Sequence, residues 1–444
     1  MCTTSCTIEF ENANQCYRPG EVIKGQVIFN VNGTSTIVIK ALSLQFAGFA
    51  CTRWEKPEKV KKSQKQKPKI YIENREDYVS TTNYLIGSEM ANLKPLEPGR
   101  YTYNFMVHIP QNVPSTFDSP LGFIRYELTV NADYSDHIEQ VYNSAIHIEQ
   151  LKDLRLLDAA VQLPEEKEQL EKKSCLKFWQ KPLHLYVSVP QKAFIAGECI
   201  CVHIKLTNLA KLKLNSITSN LNRIATYKGF INEKTPQTTT EITTIASNIH
   251  SLYGQNSNII QHLQQIFIPP VPPTMAFDEC RCIGLQYELE VLVKCQNKKR
   301  WVRTTIPILM GTVSLKSDVK IVPLNMTMYN NNNVASITVA KSMEELTLPS
   351  VMDMQPNIVV MQATQISASM GSLTSTFKEA EFMTGVQLNK KTRHQITGDL
   401  TDFKPKYLYY DLPEELQENL QDDIPTTSQL SRENNEYTEK IEML

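Results

Sequence analysis

Hydrophobic and polar residues alternate along many short stretches of this chain. The runs Ile23–Val31, Ala41–Gly48 and Ile200–Leu206 each place their apolar side chains at every second position. Alternation of this kind, entered from a turn signal, predicts a half-buried β-strand. Pro19-Gly20 suits the two central positions of a type II turn, because proline presets φ and glycine tolerates a positive φ. The pattern therefore predicts an all-β protein.

The strand pattern occurs twice, in the same order. Tyr17–Val31 and Phe194–Asn208 each have an aromatic residue, a turn ending in Gly-Glu and an alternating run. Ile124–Val130 and Leu285–Val291 close the two halves, each after a proline-containing segment. Short strands joined by proline and glycine turns are typical of antiparallel sandwiches. We predict two related immunoglobulin-like β-sandwich domains in tandem.

The pattern also suggests where the domains end. The first sandwich is predicted over residues 7–150 and the second over 181–324, with Ser247–Gln265 as a long polar connection between strands. Residues 151–180 are charged and predict a linker with room for one helical turn. Residues 325–444 predict a largely disordered, acidic tail, since residues 399–444 hold twelve Asp and Glu against four Lys and Arg.

Composition narrows the class of protein. The chain has 444 residues, 41% of them hydrophobic, which is enough for two or three domains with real cores. A net charge of −1 gives no general sign of nucleic-acid binding. We expect no signal peptide and no membrane span, and hence reduced cysteines in a cytosolic protein.

Several motifs together resemble the arrestin superfamily, and within it the α-arrestins, or arrestin domain-containing proteins. The resemblance covers about residues 7–315. It rests on Phe10–Asn12, Tyr17–Glu21, Gly25, Arg53–Glu55, Phe123–Val130, Lys173–Cys175, Phe178-Trp179, Gly197-Glu198, Ile268–Pro273, Asp278–Leu289 and Pro307–Thr312.

The resemblance implies an adaptor and not an enzyme. Family members bind membrane-protein cargo tails and direct endocytosis, endosomal sorting and protein transport. Many recruit HECT-type ubiquitin ligases through Pro-Pro-x-Tyr motifs, and this chain has no such motif. The nearest feature is Phe403, Pro405 and Tyr407, a degenerate candidate ligand for a WW domain. The implied location is the cytoplasm, peripheral to the plasma membrane or endosomes.

A lysine-rich run is the candidate contact for lipid or cargo. It consists of Lys56, Lys59, Lys61, Lys62, Lys65, Lys67 and Lys69, opposed within it only by Glu58. An exposed basic loop attracts anionic headgroups or acidic peptides, and it could equally be a solvated loop or pair with the acidic tail. Interleaved aromatic residues, which stack on bases, are missing, so we expect no nucleic-acid partner.

Catalytic and metal chemistry find little support. The sequence contains no nucleophile elbow, zinc-protease helix motif or phosphate loop, so we expect no enzyme activity and no cofactor. Cys199, Cys201 and His203 share one strand face and are the candidate metal ligands, with Cys280 and Cys282 on a later segment. Small thiols that simply fill strand positions are the favoured interpretation.

Two other adaptor roles remain open at this point, with a third class opposed. A thioredoxin-binding arrestin would need a cysteine in the long connection of the second domain, and none occurs between Cys201 and Cys280. A retromer-type sorting subunit would have the same architecture and bind its partners without the tail. An extracellular adhesion sandwich conflicts with the expected lack of a signal peptide.

Overall fold

A computed structural model describes most of both predicted sandwiches. The described residues are 3–56, 70–171, 183–209, 211–232, 234–254, 257–295, 301–315, 374–380 and 403–411, together with four two-residue strands between 321 and 366. Apart from two short 3-10 helices, the regular structure of these residues consists of β-strands. The predicted all-β fold with two sandwich domains is confirmed.

The described part of the first domain contains eleven strands. They are β1 (Thr3–Phe10), β2 (Cys16–Tyr17), β3 (Val22–Asn32), β4 (Ile37–Ile39), β5 (Ala41–Glu55), β6 (Tyr71–Gly87), β7 (Lys94–Leu96), β8 (Gly99–His108), β9 (Phe117–Asp118), β10 (Gly122–Asp133) and β11 (Ile138–Ile148). One sheet has the order β1-β3-β8, and the other runs β6-β5-β10-β11-β2. The apolar faces of β3, β5 and β10 meet in the core between them.

The second domain repeats this plan. Two 3-10 helices, Leu154–Leu156 and Ala159–Val161, precede β12 (Glu165–Glu171), β13 (Leu183–Val189), β14 (Ala193–Ile195), β15 (Cys199–Asn208), β16 (Leu214–Ile231), β17 (Thr235–Ser251), β18 (Ile259–Phe267), β19 (Ile283–Cys295) and β20 (Trp301–Gly311). One sheet has the order β12-β13-β15-β18 and the other β14-β20-β19-β16, with β17 beside β16. Their apolar faces enclose the second core.

The described residues of the C-terminal region add six short strands. They are β21 (Ile321–Val322), β22 (Tyr329–Asn330), β23 (Asn333–Val334), β24 (Gln365–Ile366), β25 (Thr374–Glu379) and β26 (Lys406–Asp411). They pair as β21-β24, β22-β23 and β25-β26. The predicted disordered tail therefore contains strand segments, and β26 packs against both sandwiches.

The internal repeat extends to single atoms in the entry turns. Gly20 and Gly197 have φ values of 87° and 99°, as the Gly-Glu turn signal predicts. Each turn is tied by the glutamate that follows. Glu21 Oε2 accepts from the Arg18 amide at 2.9 Å, and Glu198 Oε2 accepts from the Ile195 amide at 3.0 Å.

The closing strands share a second repeated feature, a buried tyrosine bonded to a proline carbonyl. Tyr126 and Tyr287 are almost completely buried, and each hydroxyl donates to a proline carbonyl, of Pro114 and Pro272 respectively, at 2.7 Å. Because the hydroxyl of a buried tyrosine needs a partner, this bond anchors the proline-containing segment to the strand. Both features support the interpretation of two related domains.

The two sandwiches are joined by a continuous sheet and a shared core. Strand β16 pairs with β6 at Phe230 and Glu73, which makes one sheet of eleven strands. Tyr227, from the second domain, is fully buried in the first core cluster, and its hydroxyl lies 2.8 Å from Ser119 Oγ. The Thr52 hydroxyl donates to the Lys228 carbonyl at 2.8 Å. The domain junction is therefore packed and not a loose tether.

Two segments differ from the sequence interpretation. Residues 165–171 lie in the predicted linker but form β12, which pairs with β13. Ion pairs replace apolar alternation on this charged strand, for example between Glu165 and Lys192 at 3.2 Å. The predicted connection Ser247–Gln265 is also wrong in part, because it contains the end of β17 and most of β18. The sequence pattern did not predict these strand segments, because their polar side chains face solvent and interrupt the apolar alternation.

Candidate functional site

Residues 403–411, here called the tail strand, lie in the crevice between the two sandwiches. Four of their side chains are buried: Phe403, Pro405, Tyr407 and Leu408. Tyr407 has no exposed surface at all. Complete burial of a large aromatic ring in an otherwise polar C-terminal region marks this segment as a built-in contact.

Local chemistry favours an extended conformation here. Tyrosine is among the residues enriched in strands, and the tail strand has three within four positions. Its partner is β25, and the Ala380 amide extends the ladder by donating to the Pro405 carbonyl at 3.0 Å. The Lys378 ammonium lies 3.9 Å from the centre of the Tyr409 ring. The tail strand therefore contains one strand of an antiparallel pair.

Alternate amides of the tail strand donate to the body of the protein. The Lys406 amide donates to His147 Nδ1 at 3.2 Å, and the Leu408 amide to Glu149 Oε2 at 2.7 Å. The Tyr410 amide donates to the Ala196 carbonyl at 3.2 Å. Amides two residues apart point to the same edge of a strand. His147 and Glu149 belong to the first domain and Ala196 to the second, so one edge bridges both.

Two tyrosine hydroxyls repeat this bridge. Tyr407 Oη donates to the Thr116 carbonyl of the first domain at 3.0 Å. Tyr410 Oη donates to the carbonyl of Thr312, just after β20 of the second domain, at 2.8 Å. The Tyr410 ring also packs on a small apolar cluster that contains Leu154 and Ile195. Each tyrosine thus fixes the tail strand to a different sandwich.

The start of the tail strand rests on a buried aromatic and cationic surface. The Phe403 ring stacks on His147 with ring centres 5.3 Å apart and planes 7° from parallel. The Arg125 guanidinium lies 5.0 Å from the same ring and forms a 2.9 Å ion pair with Asp118. An arginine over an aromatic face adds cation–π attraction, which is stronger where water is excluded.

Burial shifts the titration of the residues that hold the tail strand. It raises the pKa of Glu149 to about 8, against the lowering effect of the Leu408 amide and of Arg18. It lowers the pKa of His147 to about 4, helped by the charge of Lys406. His147 is therefore neutral at neutral pH, and its Nδ1 can accept from Lys406. Burial also raises the pKa of Tyr410 to about 12, which keeps its hydroxyl a donor.

The internal repeat explains why the first domain has a place for Tyr407. Thr116 and Thr274 occupy equivalent positions beside β11 and β20. The Thr274 carbonyl accepts from the Lys152 ammonium, which comes from the segment between the domains. The equivalent carbonyl of Thr116 accepts from Tyr407. Since a buried carbonyl needs a partner, the tail strand supplies to the first domain what Lys152 supplies to the second.

The candidate residues identified from the sequence differ in their position and burial in the structure. Phe403, Pro405 and Tyr407 are together in the tail strand but buried, so they are covered in this arrangement. Lys56 is exposed at the end of β5. The rest of the lysine-rich run lies outside the described residues: Lys59, Lys61, Lys62, Lys65, Lys67 and Lys69.

The cysteine-rich metal candidate is not brought together. Cys199 and Cys201 lie on β15, whereas Cys280 and Cys282 are fully buried in the first core cluster. His203 is on β15 as well, and burial lowers its pKa. Within the described residues, no group of three or more His, Cys, Asp or Glu side chains is arranged to hold a metal ion.

Tandem β-sandwiches joined by a packed junction define the class of this protein. Comparison with models of known families identifies the family. The model of the arrestin (or S-antigen) N-terminal domain matches residues 6–155, and that of the arrestin (or S-antigen) C-terminal domain matches residues 179–315. The chain belongs to the arrestin superfamily.

Relatives of this chain come from animals and fungi. Arrestin domain-containing protein 5 of Bos taurus is 21% identical over 307 residues, which cover 68% of this chain and 89% of the relative. Its Homo sapiens counterpart is 24% identical and covers 49% of this chain and 61% of the relative. A Schizosaccharomyces pombe protein named as an arrestin-related trafficking adapter is 20% identical over 229 residues, 46% of this chain and 33% of its own length.

Among the residues that the structure describes, no helix is long and apolar enough to cross a bilayer.

Proposed function

We propose that this chain is a non-enzymatic adaptor in membrane-protein trafficking whose tail strand holds the two sandwiches in a closed arrangement. The adaptor role is supported by the arrestin domains and by the fungal relatives named as trafficking adapters. One observation supports the closed arrangement: the tail strand makes hydrogen bonds to both domains. Its site would act by binding and not by chemistry.

The partners of such an adaptor would be membrane-protein cargo tails and sorting machinery on the cytoplasmic face of the plasma membrane or endosomes. The lysine-rich run would contact anionic headgroups or acidic cargo. Recruitment of a HECT-type ubiquitin ligase through Phe403, Pro405 and Tyr407 would require the tail strand to leave the crevice, because a WW domain needs these side chains accessible. Ligase binding and tail docking would therefore exclude each other.

Co-precipitation from cells tests this proposal. It compares the natural chain with a double variant, Tyr407→Ala with Tyr410→Ala, which removes both tyrosine anchors. The matched control is Tyr253→Ala, because Tyr253 is a tyrosine with 78% of its surface exposed. We expect all three proteins to recover membrane proteins or sorting factors. We expect the double variant to recover more cargo than the control, since the crevice is open. We expect no gain in ligase, because Tyr407→Ala also removes a residue of the candidate WW-domain motif.

The outcomes separate the possible adaptor roles. Recovery of endosomal coat subunits at equal levels with all three proteins, and no ligase, would indicate a ligase-free sorting scaffold of the retromer type. The burial of the candidate ligase motif favours this second role. No membrane or sorting protein recovered with any of the three would contradict the adaptor role itself.

A further inference from the structure

The three tyrosines of the tail strand are in different chemical environments. The hydroxyls of Tyr407 and Tyr410 donate to main-chain carbonyls of different domains, at 3.0 and 2.8 Å. Tyr409 lies between them in sequence, with its ring beside the Lys378 ammonium. Two of the three tyrosines therefore hold the tail strand through a hydrogen bond that their hydroxyl donates. A modification that replaces the hydroxyl proton would remove this bond.

A phosphoryl group on Tyr410 is incompatible with the docked contact of this side chain. The phosphorus replaces the hydroxyl proton, so Oη can no longer donate to the carbonyl oxygen that lies 2.8 Å away. At neutral pH the ester carries nearly two negative charges and offers acceptors where a donor is needed. The charged groups around Tyr410 are Arg18, Arg155, Glu149 and Asp153. Arg155 is already paired with Asp153 at 2.7 Å, so it gives little compensation.

Access to the tyrosines favours Tyr410 as the modified residue. Tyr407 is fully buried at the centre of the contact, whereas Tyr410 is half-buried at its C-terminal end. A kinase binds its substrate in an accessible, extended form, so it would act when the end of the strand leaves the crevice. Because the product cannot dock again, modification would convert a transient opening into a persistent one.

We propose that Tyr410 is a phosphorylation site whose modification releases the tail strand. In the transfer step, Tyr410 Oη forms a bond to the γ-phosphorus of ATP on a protein tyrosine kinase. The bond from that phosphorus to the β,γ-bridging oxygen breaks, ADP leaves with the electron pair, and the hydroxyl proton is released. The consequence for cargo rests on the proposed function, but the release itself does not.

Tryptic cleavage after Lys406 in the full-length chain reports release directly. That bond joins Lys406 to fully buried Tyr407, so cleavage there follows the population of the open form. Phosphotyrosine is placed at position 410 by codon reassignment, and early cleavage products are quantified by mass spectrometry. Phosphotyrosine at position 409 is the matched control, since its phosphate would meet Lys378 and not a carbonyl. Tyr410→Phe separates loss of the hydrogen bond from added charge.

We expect phosphotyrosine 410 to speed cleavage after Lys406 by about tenfold or more. In the docked form the carbonyl would lose its hydrogen-bond donor, and the phosphate would be repelled by the nearby carboxylates. Phosphotyrosine 409 should leave the rate near that of the natural chain, and Tyr410→Phe should give a smaller increase. A rate with phosphotyrosine 410 that is unchanged, or slowed through Arg18 and Arg155, would overturn the proposal.

A second arm tests whether the natural hydroxyl can be modified. The full-length protein is incubated with ATP and a recombinant protein tyrosine kinase, and a synthetic peptide of residues 403–411 serves as the accessible reference. We expect phosphate on Tyr410 of the full-length protein, and phosphatase treatment should restore slow cleavage. Modification of Tyr410 in the peptide but not in the full-length protein would also overturn the proposal. Neither arm contains cargo, so failure here would leave the adaptor role untouched.

Discussion

His147 and Glu149 are two buried titratable side chains, two residues apart, that both accept hydrogen bonds from the tail strand. Their pKa values move in opposite directions for the same reason, because burial disfavours the charged form of each. The folded state is favoured when Glu149 is protonated and when His147 is neutral. The stability of the folded chain is therefore coupled to pH.

The sign of this coupling depends on the pH range. Burial raises the pKa of Glu149 from 4.5 to about 8, so its contribution to stability is complete below 4.5 and is lost as pH rises through 8. The pKa of His147 falls from 6.5 to about 4, so its contribution is complete above 6.5 and is lost as pH falls through 4. Between 4.5 and 6.5 the two oppose each other. Above 6.5 only Glu149 acts.

We predict that the melting temperature falls between about pH 6.5 and 8 in the natural chain and falls less in Glu149→Gln. Glutamine keeps an oxygen that can accept from the Leu408 amide but does not ionise, so the variant removes the titration and retains the bond. Thermal unfolding of both proteins at the two pH values measures the difference. Equal pH dependence in the two proteins would contradict the raised pKa of Glu149 in the folded state.

The entry turn of the second domain is where the tail strand meets an element that the sequence does predict. Gly197 has a φ of 99°, and a Cβ atom at this position would collide with the Tyr410 carbonyl. The Gly-Glu signal predicts the turn from local chemistry alone. It cannot predict that the same glycine also makes room for another segment.

A pair of glycine variants separates these two roles. Gly197→Ala and Gly254→Ala both place a side chain at a positive φ, 99° and 81°, but nothing lies within 4 Å of a Cβ at Gly254. Each should lose about 1–2 kcal/mol of unfolding free energy from backbone strain. Only Gly197→Ala should also speed hydrogen exchange in residues 403–411. Equal exchange in both variants would contradict the close contact between Gly197 and Tyr410.

The elements that sequence could predict are those with local signals. The turns at Gly20 and Gly197 and the closing strands around Tyr126 and Tyr287 follow from turn chemistry and alternation, and the structure confirms them. Strand β12 was not predicted from the sequence, because ion pairs stabilise this charged edge strand without apolar alternation. The aromatic cluster of the tail strand was visible as a motif, but its hydrogen-bond partners in the two sandwiches lie 98 to 291 residues away in the chain. Periodicity carries no information at that range.

The arrangement of the two domains follows from tertiary packing. The internal repeat predicts two sandwiches, but nothing in it predicts that β16 and β6 join their sheets or that Tyr227 enters the first core. These contacts pack the junction between the two sandwiches. The tail strand adds a second, separate connection, since its anchors at Thr116 and Thr312 lie in different domains. A segment that joins two domains can respond to partners in a way that a buried junction cannot.

Hydrogen exchange of the Lys406, Leu408 and Tyr410 amides in the full-length protein tests the docked tail strand most directly. These amides donate to His147, Glu149 and the Ala196 carbonyl, so we expect them to exchange much more slowly than in a synthetic peptide of residues 403–411. In the variant with Tyr407→Ala and Tyr410→Ala, all three should approach the peptide rate together. Exchange at the peptide rate in the natural chain would contradict a tail strand that bridges the two domains.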